Sequence, residues 1–229
     1  MRLSALVLAF AALAACQQTS TAAPSASVRE RVTLAPVAVR QANEGKALQT
    51  AIFAGGCFWG IEGVFSHVRG VTSAVSGYHG GSRANATYDR VSRGDTGHAE
   101  AVRVVYDPAK VRYDQLLRVF FSVGADPTLR NRQGPDVGTQ YRAALVPLTP
   151  EQRAVAAAYL AQLGASGLWR APIATRIEAY QRFYPAEADH QDFMRAHPDH
   201  PYILRWDAPK VAALRRLFPT IYQAGFIIR

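Results

Sequence analysis

The sequence predicts an α+β fold, a two-layer sandwich around a mixed β-sheet, and three observations lead there. Short apolar runs that read as strands alternate with stretches of helical periodicity. Hairpin-length turns join some of these runs, which a doubly wound parallel sheet does not permit. The 229 residues, 49% hydrophobic and 19% charged, suit one sizeable domain with appendages.

LQTAIFAGG reads as a short buried strand ending in glycines. Ile61, Val64, Phe65 and Val68 then follow i, i+3, i+4, i+7, the apolar stripe of a helix. Residues 71–77 are a second strand, followed by the Gly-rich turn HGGSRAN. Val102, Val104 and Tyr106 mark a third, closed by Asp107-Pro108. Residues 113–123 are helical, with Leu116, Leu117, Phe120, Phe121 and Val123 as the apolar face. Residues 142–148 are a fourth strand. Thr149, Pro150 and Gln152 then form a helix start, with Thr149 as N-cap. Residues 176–180 read as one more strand, and 209–218 as a C-terminal helix. The arrangement expected is a ferredoxin-like plait core.

Before this domain, MRLSALVLAFAALAACQQTS carries one basic residue and an apolar run over 3–15. Such a run is too short to span a bilayer and has the length of a signal-peptide core. It ends in small residues before Cys16 and resembles the lipobox of bacterial lipoproteins. That resemblance implies a signal peptide over 1–15 and lipidation of Cys16, with simple secretion as the alternative. Gln17 after the cysteine implies the outer membrane, and so a periplasmic protein. Residues 16–48 are expected to be the lipidated cysteine and a flexible tether, with the domain proper over 49–229. The net charge of +9 is almost all arginine, with lysine only at 46, 110 and 210. It forms no stripe, so no nucleic-acid partner is expected.

With Cys16 blocked, Cys57 is the remaining thiol, which excludes an intramolecular disulfide framework. No Cys/His cluster has structural-zinc spacing, so no metal is expected. Cys57 sits in GGCFWG, where a strand ends and a helix begins. The positive end of that helix favours a thiolate there.

GGCFWG, TYDRV (87–91), GDTGHAEAVRVVYDP (94–108), RQGPDVGTQYR (132–142) and FYPAEADHQDF (183–193) together resemble the peptide methionine sulfoxide reductase A family. The resemblance covers 49 to about 205. It implies that Cys57 is the nucleophile on the sulfoxide sulfur and Glu100 the acid that protonates its oxygen. It implies Tyr88 and Tyr141 as hydrogen-bond donors to that oxygen, and Asp136 as a partner of substrate or ordered water. Phe58 and Trp59 become the apolar wall for the S-methyl group. The activity implied is reduction of methionine S-sulfoxide, free or in proteins, through a cysteine sulfenic acid. No bound cofactor is implied. Where some relatives have a resolving cysteine, this chain has Ile203, so the reductant is expected to be an external thiol, a thioredoxin-like protein or a small molecule. The chain is read as a monomer.

Each residue taken alone has a plainer reading. Phe58 and Trp59 would be core, Glu100 an edge charge, the tyrosines amphipathic surface, and Asp136 a turn residue. His79, His98 and His190 invite a Cys-His hydrolase but are read as structural. A binding module for methionine-like side chains is the other alternative. The ordered set of motifs outweighs these readings.

Overall fold

Ala51, Ile52, Phe53 and Ala54 are all almost completely buried, so both faces of their strand are covered. That strand, β1 (Gln49–Ala54), is accordingly central. In the computed structural model, which describes residues 32–227, it leads into α1 (Phe58–Ser66), β2 (Val71–His79), α2 (Tyr88–Val91) and β3 (Ala99–Tyr106). Then come α3 (Tyr113–Val119), β4 (Arg132–Gln133), β5 (Asp136–Val137), β6 (Ala144–Val146) and α4 (Pro150–Ala165). The order ends with β7 (Arg176–Ile177), β8 (Phe183–Pro185), α5 (Phe193–Ala196) and α6 (Ala208–Leu217). The expected signal peptide, Cys16 and the tether up to residue 31 lie outside the described residues.

The main sheet runs β7-β6-β1-β3-β2-β8. Its inner strands β6-β1-β3-β2 pair antiparallel, while β6 and β7 are parallel, so the sheet is mixed. With α1 after β1 and α3 after β3, this is the β-α-β-β-α-β order of the expected plait.

Strand alternation then sorts the side chains. Val102, Val104 and Tyr106 of β3 join Phe53 and the helices in the main core. Ala99 and Ala101 meet Ile52, Ala54, Ala144 and Val146 on the other face. Glu100 has the parity of Val102, so it lies on the helix-covered face. The antiparallel register Phe53↔Val102 sets the start of β3 beside the exit of β1. Glu100 thereby arrives next to the glycines that precede Cys57.

Thr149 caps α4 as the sequence predicts, its side chain accepting from the Gln152 amide at 3.1 Å. The expected helix over 113–123 is α-helical only to Val119. Residues Phe120–Gly124 widen into a π-turn that closes with Ala125 N–H donating to Phe120 O at 2.9 Å. The expected strands over 142–148 and 176–180 shrink to three and two residues.

The larger correction concerns the tether. Residues 32–48 are a strap packed on α3 and α4, not a flexible segment. Ala35, Ala38 and Ala42 are buried. The amides of Ala35 and Ala42 donate to Ser122 Oγ and Asp114 Oδ1, both at 2.9 Å. Tyr159 Oη donates to Pro36 O at 2.7 Å, and Glu44 accepts from the Tyr106 hydroxyl and the Tyr113 amide. The ordered unit therefore begins by residue 32. No helix of the described residues is long and apolar enough to cross a membrane.

Candidate active site

Cys57 is the N-cap of α1, and the backbone must turn sharply to reach it. Gly56 makes that turn at φ +86°, a region costly for other residues, and a Cβ there would lie 2.5 Å from Gln133 Cβ. Gln133 is itself buried and pinned, its side-chain amide bonding both Asp126 N and Asp126 O. The β4–β5 hairpin is thus clamped against the cysteine turn, and it carries Asp136.

Glu100 is 2% exposed, and its Oε2 accepts from the Phe58 amide at 3.0 Å, the first N–H of α1. Burial raises its pKa to about 8, helped by Asp136 and Asp207 and opposed by that amide. Near neutral pH it is a carboxylic acid with a proton to give.

Cys57 departs from the sequence expectation. The Trp59 amide at the helix end does favour its thiolate, but burial and the nearby Asp207, Glu100 and Asp136 together push the thiol well above its usual range. The resting sulfur is a protonated thiol. The dipole acts as expected; desolvation is larger.

Tyr88 opens α2, its amide donating to Glu187 Oε1 at 2.9 Å. Tyr141 closes the short turn Thr139–Tyr141, where Arg142 anchors the chain through Glu178 at 2.7 Å and Gly97 O at 3.1 Å. Both hydroxyls are held in their protonated form, by burial first and then by Glu100; Cys57 and Asp136 add to the effect. Contacts draw the set together: Glu100 bonds the Phe58 amide beside Cys57, and the Phe58 ring centre lies 6.5 Å from that of Tyr88. The hairpin carrying Asp136 packs on Gly56, and the turn ending in Tyr141 packs on β3. The arrangement offers a sulfur nucleophile, a neutral acid and two phenolic donors.

The wall is aromatic. Phe58 is buried beside Tyr88, with ring centres 6.5 Å apart, and half-buried Trp59 stacks on Phe193 at 3.8 Å. His190, read as structural from the sequence, joins this wall, 4.1 Å from Tyr88 and 5.8 Å from Trp59. His98 is occupied elsewhere: one ring nitrogen accepts from Gly81 N at 3.2 Å and the other bonds Ser82 O at 2.9 Å. His79 Nε2 accepts from Gln181 N at 3.2 Å. Neither serves Cys57, which removes the hydrolase arrangement built on them.

Two residues were not legible as site members. Tyr202 stands edge-on to Trp59 and donates its hydroxyl to Asp136. Asp207 is fully buried against α1, where a Cβ on Gly60 would fall 2.2 Å from its Oδ1. Both come from a π-turn over Ile203–Asp207 and its cap, a geometry without sequence periodicity. Tyr202 precedes Ile203, so the position of the missing resolving cysteine is 1% exposed core. Among the described residues Cys57 is a free thiol, and no group of His, Cys, Asp and Glu could hold a metal ion.

Comparison with known proteins gives the same reading. The family described as "Peptide methionine sulfoxide reductase" matches residues 49–220. A Mesorhizobium japonicum protein named "Peptide methionine sulfoxide reductase MsrA 2" is 55% identical, covering 76% of this chain and 90% of that protein. A Synechocystis sp. protein of the same name is 51% identical over 76% of this chain and 81% of its own. Among solved structures, methionine sulfoxide reductase A of Corynebacterium diphtheriae superposes with a TM-score of 0.57 at 36% identity, covering 67% of this chain and 77% of that one. Mxr1 of Saccharomyces cerevisiae in reduced form gives 0.58 at 30% identity, covering 69% and 90%. With its cysteine, acid and tyrosines converging in the same plait that these relatives share, this chain belongs to the peptide methionine sulfoxide reductase family.

Proposed function

We propose that Cys57 performs the family's reduction of methionine sulfoxide with Glu100 as its proton donor and no bound cofactor. The observation that carries this is the buried, protonated Glu100 carboxyl on the first amide of the helix that Cys57 caps. A sulfoxide oxygen leaves only when protonated, and a carboxyl that stays neutral at pH 7 can supply that proton. The Cys57 sulfur attacks the electron-poor sulfur of a bound sulfoxide, its proton passing to Glu100 as that carboxyl gives its own to the sulfoxide oxygen. Sulfur–sulfur contact forms, Glu100 protonates the oxygen, and Tyr88 and Tyr141 donate hydrogen bonds to it as its charge grows. The S–O bond breaks and the oxygen passes to Cys57 as a sulfenic acid. Methionine sulfur is reduced by two electrons and Cys57 oxidised by two. The proton released by the thiol restores Glu100.

Phe58 and Trp59 hold the S-methyl group against an aromatic surface, and Asp136, fixed by Tyr202, bonds substrate or ordered water. A fixed order of methyl, sulfur and oxygen admits one epimer, and the resemblance to the reductase A family supports the S epimer. With Ile203 in the core, an external thiol attacks the sulfenic acid, releases water and forms a mixed disulfide. A second thiol of the donor then frees Cys57. A thioredoxin-like protein or a small thiol fits this role.

The sequence of residues 1–31 supports export and anchoring through lipidated Cys16, facing the periplasm. Its substrates are then oxidised exported proteins as well as free methionine sulfoxide, and the chain acts as a monomer. Offered a racemic blocked methionine sulfoxide with excess thiol, the enzyme should consume half and leave the R epimer intact. Consumption of both epimers at similar rates contradicts the proposed wall and oxygen site.

A further inference from the structure

A second cleft, of about 710 Å³, is lined by none of the residues assigned to catalysis. Its walls are Val32 of the strap, Trp169 after α4, Leu204 and Trp206 of the C-terminal π-turn, and Lys210 and Arg216 of α6. The apolar side chains here are unusually open to solvent: Leu204 is 57% exposed and Val32 40%. Leu34 and Leu168, beside Val32 and Trp169 in the chain, are also exposed. Arg205 lies 5.2 Å over the Trp206 ring. Two exposed arginines, Arg205 and Arg216, line the cleft together with Lys210, which is only 6% exposed, and one acid, Asp126. That acid is already engaged by the Thr128 amide at 2.8 Å and hydroxyl at 2.6 Å. Tryptophan and leucine beside arginine is the composition of a surface that sits where hydrocarbon meets charged headgroups.

The path of the chain says what covers this face. Val32 is the first described residue, and it forms part of the cleft wall. Only residues 17–31 separate it from Cys16, a stretch that reaches about 50 Å even when fully extended. An anchor at Cys16 therefore keeps the whole domain within that distance of the bilayer, where a high effective concentration favours even weak contact, and the chain enters the domain at this cleft. Anionic headgroups complement the cleft's cations, each such residue adding to attraction within a Debye length of the surface.

We propose that this cleft and its apolar rim are a bilayer-docking face that receives anionic phospholipid headgroups between Arg205 and Arg216. The proposal rests on the membrane-anchored reading above. It adds an orientation: the π-turn that presents Leu204 and Trp206 to the lipid follows directly on Tyr202, so docking holds the catalytic wall beside the membrane surface.

The test uses the full chain, isolated from membranes with its N-terminal segment intact and reconstituted into vesicles of phosphatidylcholine and phosphatidylglycerol. Part of the lipid carries brominated acyl chains, which quench nearby tryptophan. Docking predicts strong quenching with phosphatidylglycerol present, weakened by high salt, and lost in the double variant Trp169→Phe/Trp206→Phe. Trp59, stacked on Phe193, remains unquenched. Arg216→Glu should reduce quenching at least several-fold and leave reduction of a soluble peptide sulfoxide unchanged. If the chain floats with the vesicles but neither tryptophan is quenched, the docking face is wrong and the anchored reading survives. If the chain does not float with vesicles at all, the anchored reading falls and the docking face falls with it.

Discussion

Cys57→Ser should form no methionine above about one part in 10⁴ of the wild-type rate. The replacement is nearly isosteric, at a site that is 9% exposed, so the fold should persist. Chemistry, not packing, is what it removes. A serine hydroxyl is a far weaker nucleophile toward sulfur, and its oxygen cannot take up the sulfoxide oxygen as a sulfenic acid. The binding-module alternative makes the opposite prediction, that function survives because the aromatic wall survives. Unblocked methionine formation by Cys57→Ser, measured over many turnovers with excess thiol, would remove the nucleophile assignment.

Glu100→Gln should slow reduction by about 10²–10⁴-fold with little effect on substrate binding. Glutamine keeps an oxygen for the Phe58 amide and the same volume, but it has no acidic proton. The wild-type single-turnover rate should fall as pH rises through about 8, because only the protonated form of Glu100 donates. Glu100→Gln should lack that limb. Stability also falls with rising pH. The folded pKa of Glu100 is raised from 4.5 to about 8, so its contribution is complete below the unfolded value and is lost as pH rises through that window. Glu100→Gln should therefore gain stability relative to wild type between those pH values, seen as a rising difference in denaturant midpoint. An unchanged rate in this variant contradicts the acid role, whatever its stability.

Much of this site is legible in the sequence because it is written in local rules. The strand-to-helix junction at Cys57 follows from GG before an amphipathic run, whereas Glu100 reads on its own as an edge charge and is picked out only by the motif GDTGHAEAVRVVYDP. Thr149 announces its helix by a side chain bonding three residues ahead. What stays hidden depends on contacts distant in sequence. Tyr202 and Asp207 enter the site on a π-turn, which has no apolar period of its own. Gln133 looks like a loop residue until it is seen between Gly56 and Asp126. The strap reads as tether because its buried residues are alanines, which give no hydrophobic signal. Its order comes from hydrogen bonds to Ser122, Asp114 and Tyr159, far along the chain. The thiolate expected at Cys57 fails for a related reason: the helix end is a local feature, while burial and the carboxyl groups around the sulfur come from β3, the β4–β5 hairpin and the C-terminal turn.

One measurement reaches the central claim, that Cys57 alone carries the oxygen away and waits for an outside thiol. The full chain with Cys16→Ser, so that Cys57 is its sole thiol, is mixed with blocked S-methionine sulfoxide and a sulfenic-acid trap, without reductant. Methionine is counted and the protein weighed. A single methionine per chain with the trap on Cys57 is the predicted result. No methionine with Cys57 unmodified, or continued turnover without added thiol, contradicts it.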